Sequence, residues 1–523
     1  MNGLEIDYLV LLPALIPIVG VVVILVVDLV NPSLRQLPFA VAGLSAIGAS
    51  VATLPGLGQV RGDAWATLCV GPGAGTAPAG TPRPGGEGLP QTCFWQADSL
   101  TSSLQLAAGV ATLVVVLLAW PRTRARSVTE GTREPIMAIL LLTAFAGTMV
   151  VAASRDIGTW LIALELATLP VIGLVALSGR RGAVAGAVQL LVTSLVSFAL
   201  LVLGAALWLV ATGSPMLDGN AVLVGEGYQT EAPGSALVAW PDASTAMLAL
   251  AVVLMIAGLG FKLSLVPFHA WTPTAYSGAT VPVATFLATV SKIAALAALL
   301  VVLRAITVMG ASGLAAVALL AALSMTVGNL MALRQNDVVR LLAWSTVAQA
   351  GWVVMPLVSV SSLGNRAAAT YLLTYVLATT VAFAVVALML RERPGSGRTL
   401  EAYEGLWHRS PWRAGALALA LTSLAGLPPG IIGLVGKVVA LRPVVVEGWI
   451  WLAVIAAANA VLGVAVYLRW LKPVITTTEA AETVQPTTRG PGSRRVIIAG
   501  LVLSSALLVV VSVQPDVVLR LLG

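Results

Sequence analysis

The sequence predicts an all-α polytopic membrane protein of about fourteen transmembrane helices, arranged as two inverted five-helix repeats with broken helices at spans seven and twelve. Three observations predict it. Hydrophobic residues make up 58% of the 523 residues and charged residues only 10%, with a mean hydropathy of +0.97; soluble domains carry roughly 25% charged residues. The chain offers many separate apolar runs of the roughly 20 residues that a bilayer core about 30 Å thick requires. Three of its lysines, Lys262, Lys292 and Lys437, lie inside such runs, and only Lys472 does not. A lysine at mid-bilayer costs at least ~2.5 kcal/mol on insertion scales, so it is kept where it faces a polar interior.

The spans centre near residues 18, 47, 110, 143, 167, 197, 256, 292, 322, 349, 379, 427, 459 and 507. Residues 1–125 hold spans one to three, with an outside loop over about 57–97. Residues 126–305 form the first repeat, spans four to eight, and residues 306–472 the second, spans nine to thirteen. An inside loop and span fourteen occupy 473–523. The N-terminus carries Glu5 and Asp7 with no base, unlike the basic start of a cleavable signal peptide, so the first span is expected to be retained.

The formal charge of +7 reads as a membrane orientation signal rather than as a nucleic-acid footprint. Clusters such as Arg122, Arg124, Arg126 and Arg133, then Arg391, Arg393 and Arg398, then Arg489, Arg494 and Arg495, fall in connections on one side. The positive-inside rule makes that side the cytoplasm and puts both termini outside. The loop over about 212–243 holds Asp218, Glu226, Glu231 and Asp242 with no base, as an outside loop should.

Two cysteines, Cys69 and Cys93, both lie in the loop over 57–97. An outside compartment permits a disulfide between them, and two unpaired thiols are the alternative. With no CxxC and no four-ligand spacing, the chain alone cannot build an iron–sulfur cluster or a structural zinc site. It shows no phosphate-binding loop, dinucleotide fingerprint or HExxH motif either.

The two interrupted spans share a composition. Gly258-Leu-Gly-Phe-Lys-Leu-Ser-Leu-Val-Pro267 surrounds Lys262 with glycines and a proline, and Ala425-Gly-Leu-Pro-Pro-Gly-Ile-Ile-Gly-Leu-Val-Gly-Lys437 repeats the combination in reverse order. Paired broken helices of opposite orientation point to ion sites near the midplane of an inverted repeat. The breaks free backbone carbonyls, which are expected to bind water beside each lysine.

Glu165 is the one acid well inside a span. At 4 Å and an effective dielectric of 20, unit charges interact by about 4 kcal/mol, so a small change in its separation from Lys262 decides whether that lysine keeps its proton. Lys292, with Thr285, Thr289 and Ser291 nearby, reads as a relay position, and Lys437 as the last station. Secondary candidates are His269 at the mouth of the broken seventh span, Gln349, which orients water without titrating, and Tyr371 and Tyr375, which share a helical face. His408 lies in a charged loop.

Glu165-Leu-Ala-Thr-Leu-Pro170, Gly260-Phe-Lys-Leu-Ser-Leu-Val-Pro-Phe-His-Ala-Trp-Thr-Pro273, Val290-Ser-Lys-Ile-Ala-Ala295, Arg340-Leu-Leu-Ala-Trp-Ser-Thr346 and the Pro-Pro-Gly to Lys437 stretch resemble the antiporter-like subunits of respiratory complex I, the proton-translocating NADH:quinone oxidoreductase. The resemblance covers about residues 100–470. Within the family, a lysine in the twelfth span is unlike subunit M, and an end after span fourteen is unlike subunit L with its lateral helix. The resemblance implies that Glu165, Lys262, Lys292 and Lys437 are the proton-relay residues, and that the fold is two inverted five-helix bundles. It implies a translocase subunit without redox chemistry or cofactor of its own. FMN, iron–sulfur clusters and quinone then belong to partner subunits, and the partners are subunit M, small subunits such as K, the peripheral NADH-oxidising arm and membrane lipids. A cation/proton antiporter, a membrane-bound hydrogenase and a non-pumping scaffold of the arm are the alternatives. The sequence departs from the family where Tyr276-Ser-Gly-Ala-Thr280 replaces a Tyr-Glu-Gly-Ala-Pro-like run and where Gln349 replaces a frequent histidine.

Overall fold

A bilayer offers no partner to a main-chain N–H or C=O, so the apolar runs satisfy their backbones internally as helices. The computed structural model describes residues 6–57, 65–70, 92–121, 128–217, 243–305, 312–393, 397–476 and 491–522. Its long helices are α1 Tyr8–Val30, α2 Leu37–Ala52, α3 Ser99–Ala119, α4 Val128–Ala153, α5 Ile157–Ala176, α6 Arg181–Thr212 and α7 Ala243–Leu263. After a turn come the short α8 Trp271–Gly278 and α9 Val281–Ala288, then α10 Val290–Ala305, α11 Ser312–Ala332, α12 Val338–Val354 and α13 Ser362–Glu392. The chain continues through α14 Pro411–Ala425, α15 Ile431–Val446, α16 Ile450–Ile475, α17 Pro491–Val513 and the short α18 Asp516–Leu521.

Among the described residues, thirteen helical stretches are long and apolar enough to cross a membrane. The expected twelfth span is missing from these because it is two shorter helices, α14 and α15, divided at residues 426–430. The eighth is also interrupted, between α9 and α10 at Thr289, with no proline or glycine to announce it. The acids of the loop over 212–243, with Arg122, Arg124, Arg126 and Arg489, lie outside the described residues.

Helix starts follow local chemistry. Asp98, Asp156 and Asp337 accept from the main-chain N–H groups of Thr101, Thr159 and Val339, taking up donors that a first turn leaves unpaired. Burial then separates the helices into an axis and a rim. In the stretches Val281–Leu303, Val338–Ser359 and Ser362–Glu392, 94% of the apolar window is buried, against 33% in α1, α6 and α16. The latter present rows such as Val184, Val188 and Leu195 outward, suited to lipid or a neighbouring subunit.

One element departs from the all-α expectation. β1 Trp65–Val70 and β2 Thr92–Ala97 form an antiparallel pair with Cys69 opposite Cys93, and a disulfide joins the two sulfurs. Buried Arg155 fixes this pair to the bundle, donating to the carbonyl oxygens of Ala152, Ser154 and Gln96 and to the Thr101 hydroxyl. Asp7 at the start of α1 donates its N–H to Thr67, 2.8 Å away.

Candidate functional site

Glu165 stands midway along α5, and Thr168 follows one turn later on the same face. Lys262 lies in the last turn of α7 and brings its Nζ to 2.8 Å from Glu165 Oε1 and 3.1 Å from Thr168 Oγ1. The Thr168 hydroxyl is also 3.2 Å from Glu165 Oε2, so one hydroxyl touches both partners of the ion pair. The side chains of Lys262 and Glu165 are 5% and 13% exposed. A cleft lined by Thr168, Ser194, Ser197, Trp271 and Ser291 opens onto Lys262.

α7 ends because Ser264 adopts a left-handed conformation, φ 69°, two residues after Lys262. The turn beyond it is held by Val266, whose N–H donates to Ser324 Oγ at 2.9 Å, and by Trp271, whose indole N–H donates to the Phe261 carbonyl at 2.8 Å. The carbonyl that the break leaves at Lys262 accepts from a second lysine. Lys292 Nζ donates to Lys262 O at 2.9 Å and to Ser264 Oγ, and Ser264 in turn pairs with Thr272 at 2.6 Å. The Trp271 ring covers the Lys292 amine, 4.9 Å from its centroid. The hydroxyls of Thr285 and Thr289 turn back onto their own helix instead, and Ser291 faces the cleft.

The second break repeats the first contact. Gly426, φ 79°, ends α14, and Lys437 reaches back from α15 to donate to the carbonyl oxygen of Ala425. An aromatic ring again covers the amine, here Trp352 with its centroid 5.5 Å away. Glycine is required at Gly433 because a Cβ there would run into Ser423, where the two halves of the broken helix cross.

From Trp352 a chain of hydroxyl and amide groups runs through the second half. Trp352 stacks on Tyr371 at 5.6 Å, Tyr371 donates to Gln349 Oε1, and Gln349 donates to the Tyr467 hydroxyl at 2.9 Å. Tyr467 pairs with Ser345 at 2.6 Å, and Tyr375 with Thr346 at 2.8 Å. His269 packs its ring against Trp344, 5.2 Å away. His408 sits on the exposed short helix Leu406–Arg409.

The structure therefore gathers Glu165, Lys262 and Lys292 into one connected cluster and places Lys437 with Gln349, Tyr371 and Tyr375 in another. The hydrogen bonds and ion pairs of Lys292 and Lys437 do not join the clusters directly. Sequence reasoning missed Thr168, Ser264, Thr272, Trp271, Trp352 and Tyr467. Thr168 was within reach, being three residues from Glu165 on a helix; Tyr467 carries no signal at all. No group of three His, Cys, Asp or Glu side chains suited to a metal exists among the described residues.

Residues 154–463 match the family model described as NADH:quinone oxidoreductase/Mrp antiporter, transmembrane. The chain is 37% identical over 478 residues to NADH-quinone oxidoreductase subunit N of Salinispora tropica, covering 89% of this chain and 84% of that protein. It superposes on a chain of respiratory complex I from Thermus thermophilus with bound aureothin, with a TM-score of 0.73 and 30% identity over 97% of this chain and 98% of that one. A chain of the Mrp complex from Dietzia gives a TM-score of 0.76 at 19% identity, over 99% of this chain and 96% of that one.

Proposed function

The chain belongs to the NADH:quinone oxidoreductase/Mrp antiporter family of membrane proteins, and on that premise we propose that it moves protons outward across the bacterial plasma membrane as the subunit N of complex I. The observation that carries this reading is the arrangement of three buried charges in series: Glu165 paired to Lys262, and Lys292 bound to the main chain of Lys262 itself. Glu165 pairs with the Lys262 ammonium, while the Lys292 ammonium rests on neutral acceptors. Separation of Glu165 from Lys262 leaves the Lys262 ammonium without its counter-charge, and the proton is then driven onward.

Moving one charge against 100 mV takes about 2.3 kcal/mol. The drive comes from NADH oxidation and quinone reduction in other subunits, where FMN and iron–sulfur clusters reside. Subunit M and small subunits such as K are the neighbours that pass the change along the arm. Lys437 is the exit station, reached through the Gln349, Tyr371 and Tyr467 chain. The positive-inside asymmetry supports an orientation with both termini outside.

Identity of 30% to a complex I chain, against 19% to an Mrp chain whose likeness speaks for the fold alone, favours complex I over a cation/proton antiporter. The test is Lys437→Ala in the whole complex reconstituted in vesicles. The expected result is normal assembly and NADH oxidation with fewer protons moved per electron pair. Unaltered pumping would turn the reading toward a scaffold.

A further inference from the structure

Resting on the relay reading above, we propose that the Lys262 ammonium occupies an alkali-cation site built by Glu165 and Thr168, and that this tethered amine restricts the site to protons. The first observation is the donor set. The nitrogen meets a carboxylate oxygen at 2.8 Å and a hydroxyl oxygen at 3.1 Å. The Thr168 oxygen is also 3.0 Å from the Leu164 carbonyl oxygen and 3.2 Å from Glu165 Oε2. Its single hydrogen goes to one of those acceptors, so it turns a lone pair toward the amine. Lys262 stands in the last turn of α7, where the negative end of the helix favours a cation of any kind. Oxygen atoms beside an interrupted membrane helix are what alkali ions bind in transport proteins, and an ammonium group is close to potassium and rubidium in size.

The second observation is access. The cleft that opens onto Lys262 carries the hydroxyls of Ser194, Ser197 and Ser291, and Ser197 gives its hydrogen to the Gly258 carbonyl oxygen at 2.7 Å, which leaves its own oxygen as an acceptor. An ion that enters there finds the carboxylate already taken by a cation that is covalently held and returns as an intramolecular partner. Unlike an alkali ion, the amine hands on a proton and stays, so the charge that passes is a proton. Without the amine, Glu165 is a buried carboxylate in need of a counter-charge. Thr168 and water from the cleft then complete the shell of the alkali ion that supplies it.

The experiment measures retention of radioactive rubidium by the intact complex, without turnover and at mildly alkaline pH, where protons compete least. Lys262→Met keeps the apolar stem and vacates only the place of the amine. It is expected to retain a further rubidium ion per complex that the native protein does not, and the gain is expected to vanish when Glu165→Gln is added. Lys262→Arg, which keeps the charge, is expected to match the native protein. Retention in Lys262→Met no greater than native overturns the cation site, and so does a gain that survives Glu165→Gln or appears in Lys262→Arg. Pumping is read separately in vesicles. A lowered proton ratio in Lys262→Met without added rubidium overturns the cation site and leaves the relay standing, whereas a native ratio removes the relay and this role of the amine with it. Should Lys262→Met fail to assemble, Lys262→Ala decides by the same two readings.

Discussion

Lys292 rests its amine on the main-chain carbonyl oxygen of Lys262, 2.9 Å away. The acceptor is free because α7 stops one residue later, so the helix break and the buried charge explain one another. Lys437 and Ala425 repeat the relationship at the second break. A buried ammonium needs acceptors, and a carbonyl at an interrupted helix end supplies one without adding a counter-charge that would fix the proton in place.

Ser264 is the second acceptor of that amine. Ser264→Ala should lower stability by about 1–3 kcal/mol, the range for a lost hydrogen bond to a charged group and the buried partner it strands. Ser264→Gly separates the hydroxyl from the backbone, because glycine relaxes the left-handed φ of 69° while still deleting the oxygen. Proton pumping by the reconstituted complex should fall in both variants. Recovery in Ser264→Gly would mean that conformation, not the hydroxyl, matters.

Thr168 touches both members of the Glu165–Lys262 pair. Thr168→Val keeps the shape and removes the hydroxyl, and loss of one charge-assisted hydrogen bond predicts a relay slowed by about tenfold. Thr168→Ser restores it. Single-turnover proton release after an NADH pulse reads the difference.

Gly426 sits at φ 79° with the Lys437 side chain 3.1 Å from where a Cβ would stand. In Gly426→Ala, the left-handed conformation costs about 1–2 kcal/mol, and the new methyl pushes Lys437 off the Ala425 carbonyl. A lower thermal midpoint of the purified complex together with reduced pumping is the expected pair of results.

Cys69 and Cys93 are the two cysteines of the chain, and both sulfurs are bonded. Alkylation of the denatured, unreduced protein should therefore add no label to this subunit, and reduction should expose two sites. Mass spectrometry of the intact subunit distinguishes the two states.

The parts of this molecule legible in its sequence are those that carry a large penalty. Lys262, Lys292, Lys437 and Glu165 stand out because charge in a membrane span is expensive, and the breaks near 262 and 427 because proline and glycine disrupt helices. What escaped was inexpensive. Ser264, Thr272 and Thr168 are hydroxyls of a kind found in most membrane helices, and only the packing of α5, α7 and α10 gives Thr168 and Ser264 a lysine to bind and sets Thr272 behind Ser264. The interruption at Thr289 has no proline or glycine to announce it. The strand pair at Cys69 and Cys93 is too short for periodicity to reveal among so many glycines and prolines.

The most direct test of the relay is the number of protons moved per electron pair in vesicles holding the whole complex with Glu165→Gln or Lys262→Ala. Both variants should assemble and oxidise NADH, and both should lose the same share of pumping, because each removes one partner of the 2.8 Å pair. A native ratio in both, with the subunit in place, would contradict the account.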